Sequence, residues 1–199
     1  MKTFEAKTLD DAIAKACDDF GITEELLIYN VVEEKKGLFN KKVVIECYTE
    51  SMVEEYIENY IRTILTDMGF TCEMAIFKQD ERIYVNIDTD NNAILIGKNG
   101  VILRTLNFIV KNAVSTEFKE RIELSLDING YKENRYKKVT SLAKHFGKQV
   151  QRTHVDVALD PLPADERKVI HQTIAEMDHL STESQGERRN RFITIHYED

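Results

Sequence analysis

Apolar residues recur along this chain with two periods, and the switches between them mark out short helices and strands. From Leu9, the apolar positions Leu9, Ala12, Ile13, Ala16 and Phe20 keep helical spacing. Thr8 stands where a cap belongs, with Asp11 at the third helical position, and Gly21 stands where a left-handed stop belongs. Thr3 to Ala6 before this helix, and Leu26 to Val32 and Val43 to Tyr48 after it, read as strands, giving a small β-α-β-β unit. Ser51 and Glu54 form a second capping signature, and the stripe Val53, Tyr56, Ile57, Tyr60, Ile61, Ile64, Leu65 and Met68 predicts a helix ending at Gly69. Phe70 to Lys78 and Arg82 to Asp88 predict a hairpin turning at Gln79-Asp80-Glu81. Asp90 is placed to cap a short helix from Asn91 to Ile96, and Val101 to about Thr116 carries a longer one. Ile122, Leu124, Leu126 and Ile128 alternate with Glu123, Ser125 and Asp127, the clearest strand of the chain.

Beyond Asn129-Gly130, Tyr131 to about Arg152 predicts a long helix with Val139, Leu142, Ala143, Phe146 and Val150 on its apolar side. His154 to Leu159 reads as a short strand and Asp160-Pro161-Leu162-Pro163 as an extended connector, with Pro163 placed to open the next helix. Ile170, Ile174 and Met177 mark the apolar face of that helix, and Ser181 to Gln185 and Arg191 to Tyr197 read as closing strands. The fold class expected is α+β, as three small modules in tandem at 1–50, 51–130 and 131–199.

Charge changes this picture more by where it lies than by its sum. The 199 residues carry a net charge of −8, which taken alone argues against a nucleic-acid partner. Residues 1–90 hold most of the acidic excess, while 131–152 has 7 basic residues against 1 acidic. Within it Lys137, Lys144, Lys148 and Arg152 share one helix face, a positive line roughly 20 Å long at ~1.5 Å rise per residue. Arg188, Arg189 and Arg191 add charge near the end. No apolar run of about 18 or more residues stands out, and the N-terminus lacks the apolar core of a signal peptide. A cytoplasmic protein without membrane insertion is expected. Cys17, Cys47 and Cys72 are not at zinc spacing, and an odd count argues against a disulfide framework. No paired-carboxylate motif, phosphate-binding lysine loop or metal cluster is visible, so neither catalysis nor a cofactor is expected.

The candidate chemistry centres on Ile94-Leu95-Ile96-Gly97-Lys98-Asn99-Gly100. Gly97 and Gly100 allow close backbone approach, Lys98 supplies a mobile positive charge, and Asn99 can donate and accept. Alone, such a turn reads rather as a plain connection between two helices. Its setting, after a helix and a hairpin and before a further helix and strand, resembles a KH domain of the bacterial type II arrangement over roughly residues 52–130. That resemblance implies a turn that clamps the sugar-phosphate backbone of a few unpaired nucleotides. Gly97 and Gly100 would admit the backbone, with Ile96 and Asn99 alongside and Lys98 and Arg104 near phosphates. Ile94, Leu95 and Val101 would line an apolar groove for bases.

Arg167-Lys168-Val169-Ile170-His171, after a proline-bearing connector and before Thr182-Glu183-Ser184-Gln185-Gly186, resembles the motif of an R-3-H domain. The resemblance implies single-stranded nucleic acid as ligand, with Arg167 on a phosphate and His171 on a phosphate or a base. Lys144, Lys148, Arg152 and Arg191 would add phosphate contacts. In this order, and with Lys35-Lys36-Gly37-Leu38-Phe39 near the start, the chain is similar to the bacterial Jag family. The closing turn is more basic than is usual there, and the second module follows directly on the first without a long linker. The family resemblance implies a cytoplasmic RNA-binding regulator linked to cell-envelope growth and division. Its implied partners are single-stranded RNA or single-stranded DNA, a smaller KH-only protein, a second copy of the chain, and a functional tie to a membrane-protein insertase. An alternative expectation is an adaptor that docks through the acidic first module and its Leu38-Phe39 loop, with nucleic-acid binding secondary.

Overall fold

The computed structural model describes residues 1–36 and 41–199, so the Leu38-Phe39 loop lies outside the described residues. Each capped amphipathic segment seals one face of a small sheet. Strand β1 (Lys2–Ala6), helix α1 (Leu9–Phe20), β2 (Ile28–Lys36) and β3 (Lys41–Tyr48) form the first assembly. Its strand order is β1-β3-β2, antiparallel throughout. Thr8 Oγ1 accepts from Asp11 N at 3.2 Å, and Gly21 closes the helix at φ 66°. Ala12, Ile13 and Ala16 pack against Val43, Ile45 and Cys47. Burial, and then neighbouring Cys17, push the Cys47 thiol up to about 11, which keeps it protonated and unreactive. β2 runs farther than its apolar residues predict. It is an edge strand, and its charged end remains paired with β3 through a bulge between Val31 and Glu33.

The second assembly comprises α2 (Glu50–Asp67), β4 (Cys72–Gln79), β5 (Arg82–Thr89), α3 (Asn92–Ile96), α4 (Val101–Glu117) and β6 (Glu123–Ile128). β4 and β5 form an antiparallel hairpin, with Asp80 and Glu81 both at positive φ in its tight turn. β5 and β6 are parallel, which the crossover through α3 and α4 requires. Ile83, Val85, Ile87, Leu124, Leu126 and Ile128 are buried on one face of this sheet. Val53, Ile57, Ile61 and Leu65 of α2 and Leu103, Leu106, Val110 and Val114 of α4 are buried as well, and α2 packs on both β4 and α4. Two predicted caps are corrected. Thr49, not Ser51, caps α2, because its extended backbone at the end of β3 brings Oγ1 to Met52 N at 3.3 Å. Asp90 instead accepts from Thr71 N, and Asn92 accepts from Thr89 N at 2.9 Å at the start of α3.

By length and composition the stretch Asn92–Glu117 could cross a bilayer, contrary to the sequence expectation. It is broken at the glycine turn, and α4 packs its buried positions against α2 and β6. The two assemblies are joined as one compact unit, Met1–Asn129. Tyr48 is 1% exposed and packs at 4.8 Å, centroid to centroid, on Phe118. Its hydroxyl bonds Glu120, and Lys119 Nζ reaches Glu46 at 2.5 Å. Burial, and then the bond to Glu120, hold the Tyr48 hydroxyl far above the usual phenol range.

The second unit, Gly130–Asp199, has α5 (Tyr131–Thr153), β7 (Val157–Ala158), α6 (Ala164–Ala175), β8 (Leu180–Gln185) and β9 (Phe192–Tyr197). The sheet order is β7-β9-β8. Val139, Ala143 and Val150 of α5 share a core with Ile170 and Ile174 of α6 and Ile193 and Ile195 of β9. Glu166 is 2% exposed and would be costly to bury alone. Arg135 grips it with two parallel bonds, Nε to Oε1 at 3.0 Å and Nη2 to Oε2 at 2.9 Å. β7 is shorter than predicted because Asp156 leaves the ladder, accepting from Tyr197 N at 3.2 Å and pairing with His196 Nδ1 at 2.7 Å.

Candidate nucleic-acid interface

The first candidate surface is the turn between α3 and α4. α3 ends when Gly97 takes φ 68°, ψ 177°, a conformation essentially closed to residues with a Cβ. Asn99 (φ 53°) and Gly100 (φ 71°) then take left-handed conformations, and Gly100 N donates to Gly97 O at 3.1 Å. A Cβ at Gly97 would lie 2.6 Å from Ile102 Cγ1, so glycine also makes room for the first turn of α4. The consequence is a bare corner with the Lys98 and Asn99 side chains turned to solvent. α4 starts at this corner without any side-chain cap, which leaves the positive end of its dipole at the corner.

The residues expected around this turn divide into two sets. Ile94 (52% exposed), Val101 (53%) and Arg104 lie on the surface, and Ile96 is half-buried. Leu95 is corrected: at 1% exposure it belongs to the core and supports the corner from beneath. Ile102, which the sequence reading passed over, is 41% exposed and joins Ile94 and Val101 as an apolar rim. Its only sequence signal was its place just after the second glycine. Among the described residues Lys98 and Arg104 make no ion pair, whereas Lys42, Lys78, Lys111 and Lys119 all rest on carboxylates.

The second candidate surface is on the Gly130–Asp199 unit. Lys144, Lys148 and Arg152 are exposed on the side of α5 away from Ala143, Gly147 and Val150, with no ion pair among the described residues. Lys137, at the start of the line, is held by Glu133 at 2.5 Å. Arg191 is exposed beside β9, its carbonyl accepting from Leu162 N.

Arg167 departs from the expectation. It is 9% exposed, donating from Nε to Leu162 O at 3.2 Å and from Nη1 to Ser184 Oγ at 2.8 Å. His171 lies half-buried between Thr182 Oγ1 at 2.6 Å and Ser184 Oγ at 3.1 Å. Burial, and then the Arg167 charge, hold its imidazole below the usual histidine range, so the neutral form is favoured. Guanidinium has only donors, so Ser184 accepts from Arg167 and can send its own proton to His171 Nε2. That leaves Nδ1–H to donate to Thr182. The Arg-x-x-x-His pair is thus an internal lock joining the connector, α6 and β8, and it sets the position of β8 rather than offering two free hands to a ligand.

A third surface was not located from sequence. Tyr56 and Tyr60 stack at 5.8 Å on α2, and Phe108 (68% exposed) and Ile109 (42%) stand out from α4. Together with Asn112, Ala113, Thr116 and Glu117 they line an open groove of about 480 Å³. Among the described residues no group of three or more His, Cys, Asp or Glu is placed to hold a metal ion.

Comparison with known proteins bears on both units. The pattern of the Jag N-terminus matches residues 4–48, and that of the R-3-H domain matches residues 137–197. The chain is 28% identical over 201 aligned residues to an RNA-binding protein KhpB of Clostridium symbiosum, covering 98% of this chain and 90% of that protein. It is 26% identical over 200 residues to the RNA-binding protein KhpB of Bacillus subtilis (strain 168), covering 97% and 96%. A third protein of that name, from Streptococcus pneumoniae serotype 2, is 26% identical over 136 residues, 68% of this chain but 42% of that protein.

Proposed function

This chain belongs to the Jag (KhpB) family, and from that premise we propose that it is a non-catalytic protein that binds single-stranded RNA. The observation that carries the reading is the Gly97–Gly100 corner, where a glycine-only backbone presents Lys98 and Asn99 at the open N-terminus of α4. An antiparallel hairpin, a crossover through two helices split by that corner, and a parallel third strand are what a type II KH module requires. In this reading residues 51–130 are the KH module, flanked by a Jag module at 1–50 and an R-3-H module at 131–199.

The corner admits the sugar-phosphate backbone over its bare glycines and holds it through Lys98 and Asn99, while Ile94, Val101 and Ile102 receive bases. Lys144, Lys148, Arg152 and Arg191 take further phosphates, and Arg167 and His171 hold β8 in place. Two modest sites on one chain reinforce each other through effective concentration. The groove of Tyr56, Tyr60, Phe108 and Ile109 is the surface best suited to pairing, with a second copy or with a smaller KH-only protein. A cytoplasmic, post-transcriptional role tied to envelope growth and to a membrane-protein insertase is the biological setting this reading carries.

Fluorescence anisotropy with an unstructured RNA of about 20 nucleotides tests it. Lys98→Asp with Asn99→Asp should abolish most binding, and affinity should fall steeply with salt. Wild-type chain that fails to bind at low salt, or binds without salt dependence, would overturn the reading. It would then favour the adaptor reading, for which the specific observation is the acidic first module, net −4 over residues 1–50.

A further inference from the structure

The basic line on α5 ends in aromatic rings. His154 follows the last helical residue, and its ring lies over Tyr197 with centroids 3.9 Å apart and planes 12° from parallel. His179 adds a third near-parallel ring, 6.1 Å from Tyr197 at 22°. Three separate segments meet here. His154 N donates to Val150 O at 2.8 Å, ending α5, and Gln151 Nε2 donates to Asp178 O at 2.8 Å, pinning that end to the turn before β8. Glu198 N donates to His179 O at 2.9 Å. Tyr197 is partly buried against the unit's hydrophobic core, which fixes its ring. Both histidines are exposed and both hold left-handed backbone (φ 55° and 59°), where glycine or asparagine is the easier residue.

We propose that the His154–Tyr197–His179 ring cluster is a stacking platform for an unpaired base of single-stranded RNA whose phosphates run along Lys144, Lys148 and Arg152. Single strands are commonly held by a cationic track combined with aromatic faces, because every base has a face to stack. Here the track and the faces are contiguous: Arg152 precedes His154 by two residues. The carboxylate of Asp156, bonded to the Tyr197 amide, is also engaged by His196, so it is not presented as a bare charge against the strand. The platform is separate from the Arg167–His171 lock. That lock holds Ser184, whereas the platform lies at the opposite end of β8, where Leu180 pairs with Tyr197. The inference rests on the RNA-binding reading.

The test compares the full chain with a His154→Asn, His179→Asn variant, both asparagines being compatible with left-handed backbone. Labelled adenosine-rich 20-mer RNA is titrated by anisotropy at several salt concentrations. Loss of one stacked base should weaken binding about tenfold, at the lower end of what base stacking on aromatic rings contributes. The salt slope should stay unchanged, since no phosphate contact is removed. A strand of the same length lacking bases should bind both proteins equally. In parallel, the His154 and His179 ring protons of the wild-type chain should move upfield in NMR spectra on adding a short adenosine-rich RNA. Wild-type affinity in the variant, or ring protons that do not move while RNA binds, overturns the platform alone. Wild-type chain that binds no RNA at low salt overturns the platform and the parent reading together.

Discussion

Gly97→Ala tests whether the corner is built as described. Two costs are legible there. At φ 68°, ψ 177° any side chain is forced into a region essentially reserved for glycine, a strain of about 1–3 kcal/mol. The added Cβ would also sit 2.6 Å from Cγ1, 2.9 Å from Cδ1 and 3.1 Å from Cβ of Ile102. The far end of Ile102 can swing away, but its Cβ is fixed to the helix, so part of an overpacking cost of about 1–3 kcal/mol remains. The sum is about 2–5 kcal/mol. Gly21→Ala is the control, since Gly21 is also left-handed (φ 66°) but an added Cβ there meets nothing within 4 Å. It should cost about 1–2 kcal/mol from backbone strain alone. Urea unfolding of both full-length variants, followed by far-UV circular dichroism, gives the comparison. A Gly97→Ala variant no less stable than Gly21→Ala would show that neither the strain nor the contact with Ile102 governs this turn.

Other consequences follow from the second unit. Arg135→Met should destabilise it by about 3–5 kcal/mol by stranding the buried Glu166 carboxylate, and adding Glu166→Met should restore most of the loss in a urea titration. The depressed His171 pKa makes stability depend on pH. Above about 6.5, folded and unfolded histidine are both neutral and stability is complete. As pH falls through that value the unfolded chain takes up the proton first, so stability declines until the folded pKa is passed. Thermal unfolding between pH 7.5 and 5 should show this fall, and His171→Gln should flatten it. Lys144→Ala, Lys148→Ala and Arg152→Ala together should lower the salt slope of RNA binding by about 2, at ~0.7 per phosphate contact on a single strand. An unchanged slope would remove that face from the interface.

What could be read from sequence was what is local. The glycine corner, the alternation of β6 and the Thr8 and Gly21 stops of α1 each depend on residues within a few positions of one another. Caps were harder, because Thr49 and Ser51 both have hydroxyls and only the backbone at the end of β3 selects Thr49. Contacts between distant residues left no trace in the pattern. Arg135 meets Glu166 across 31 positions, and the ring cluster draws His154, His179 and Tyr197 from three separate segments. Gly147, unexplained in mid-helix, makes sense only beside Met177 and Ile174, whose side-chain ends would lie 2.7–2.9 Å from an added Cβ. The Arg167–His171 spacing was legible, but its inward direction was not, since helical periodicity places two residues on one face without saying what that face meets.

The most direct test of the account is ultraviolet crosslinking of the full chain to a short unstructured RNA, with the crosslinked peptides identified by mass spectrometry. Crosslinks should fall on the Gly97–Arg104 corner and along the exposed side of α5 towards His154. Crosslinks confined to residues 1–50, or absent from the corner while RNA binds, would contradict it.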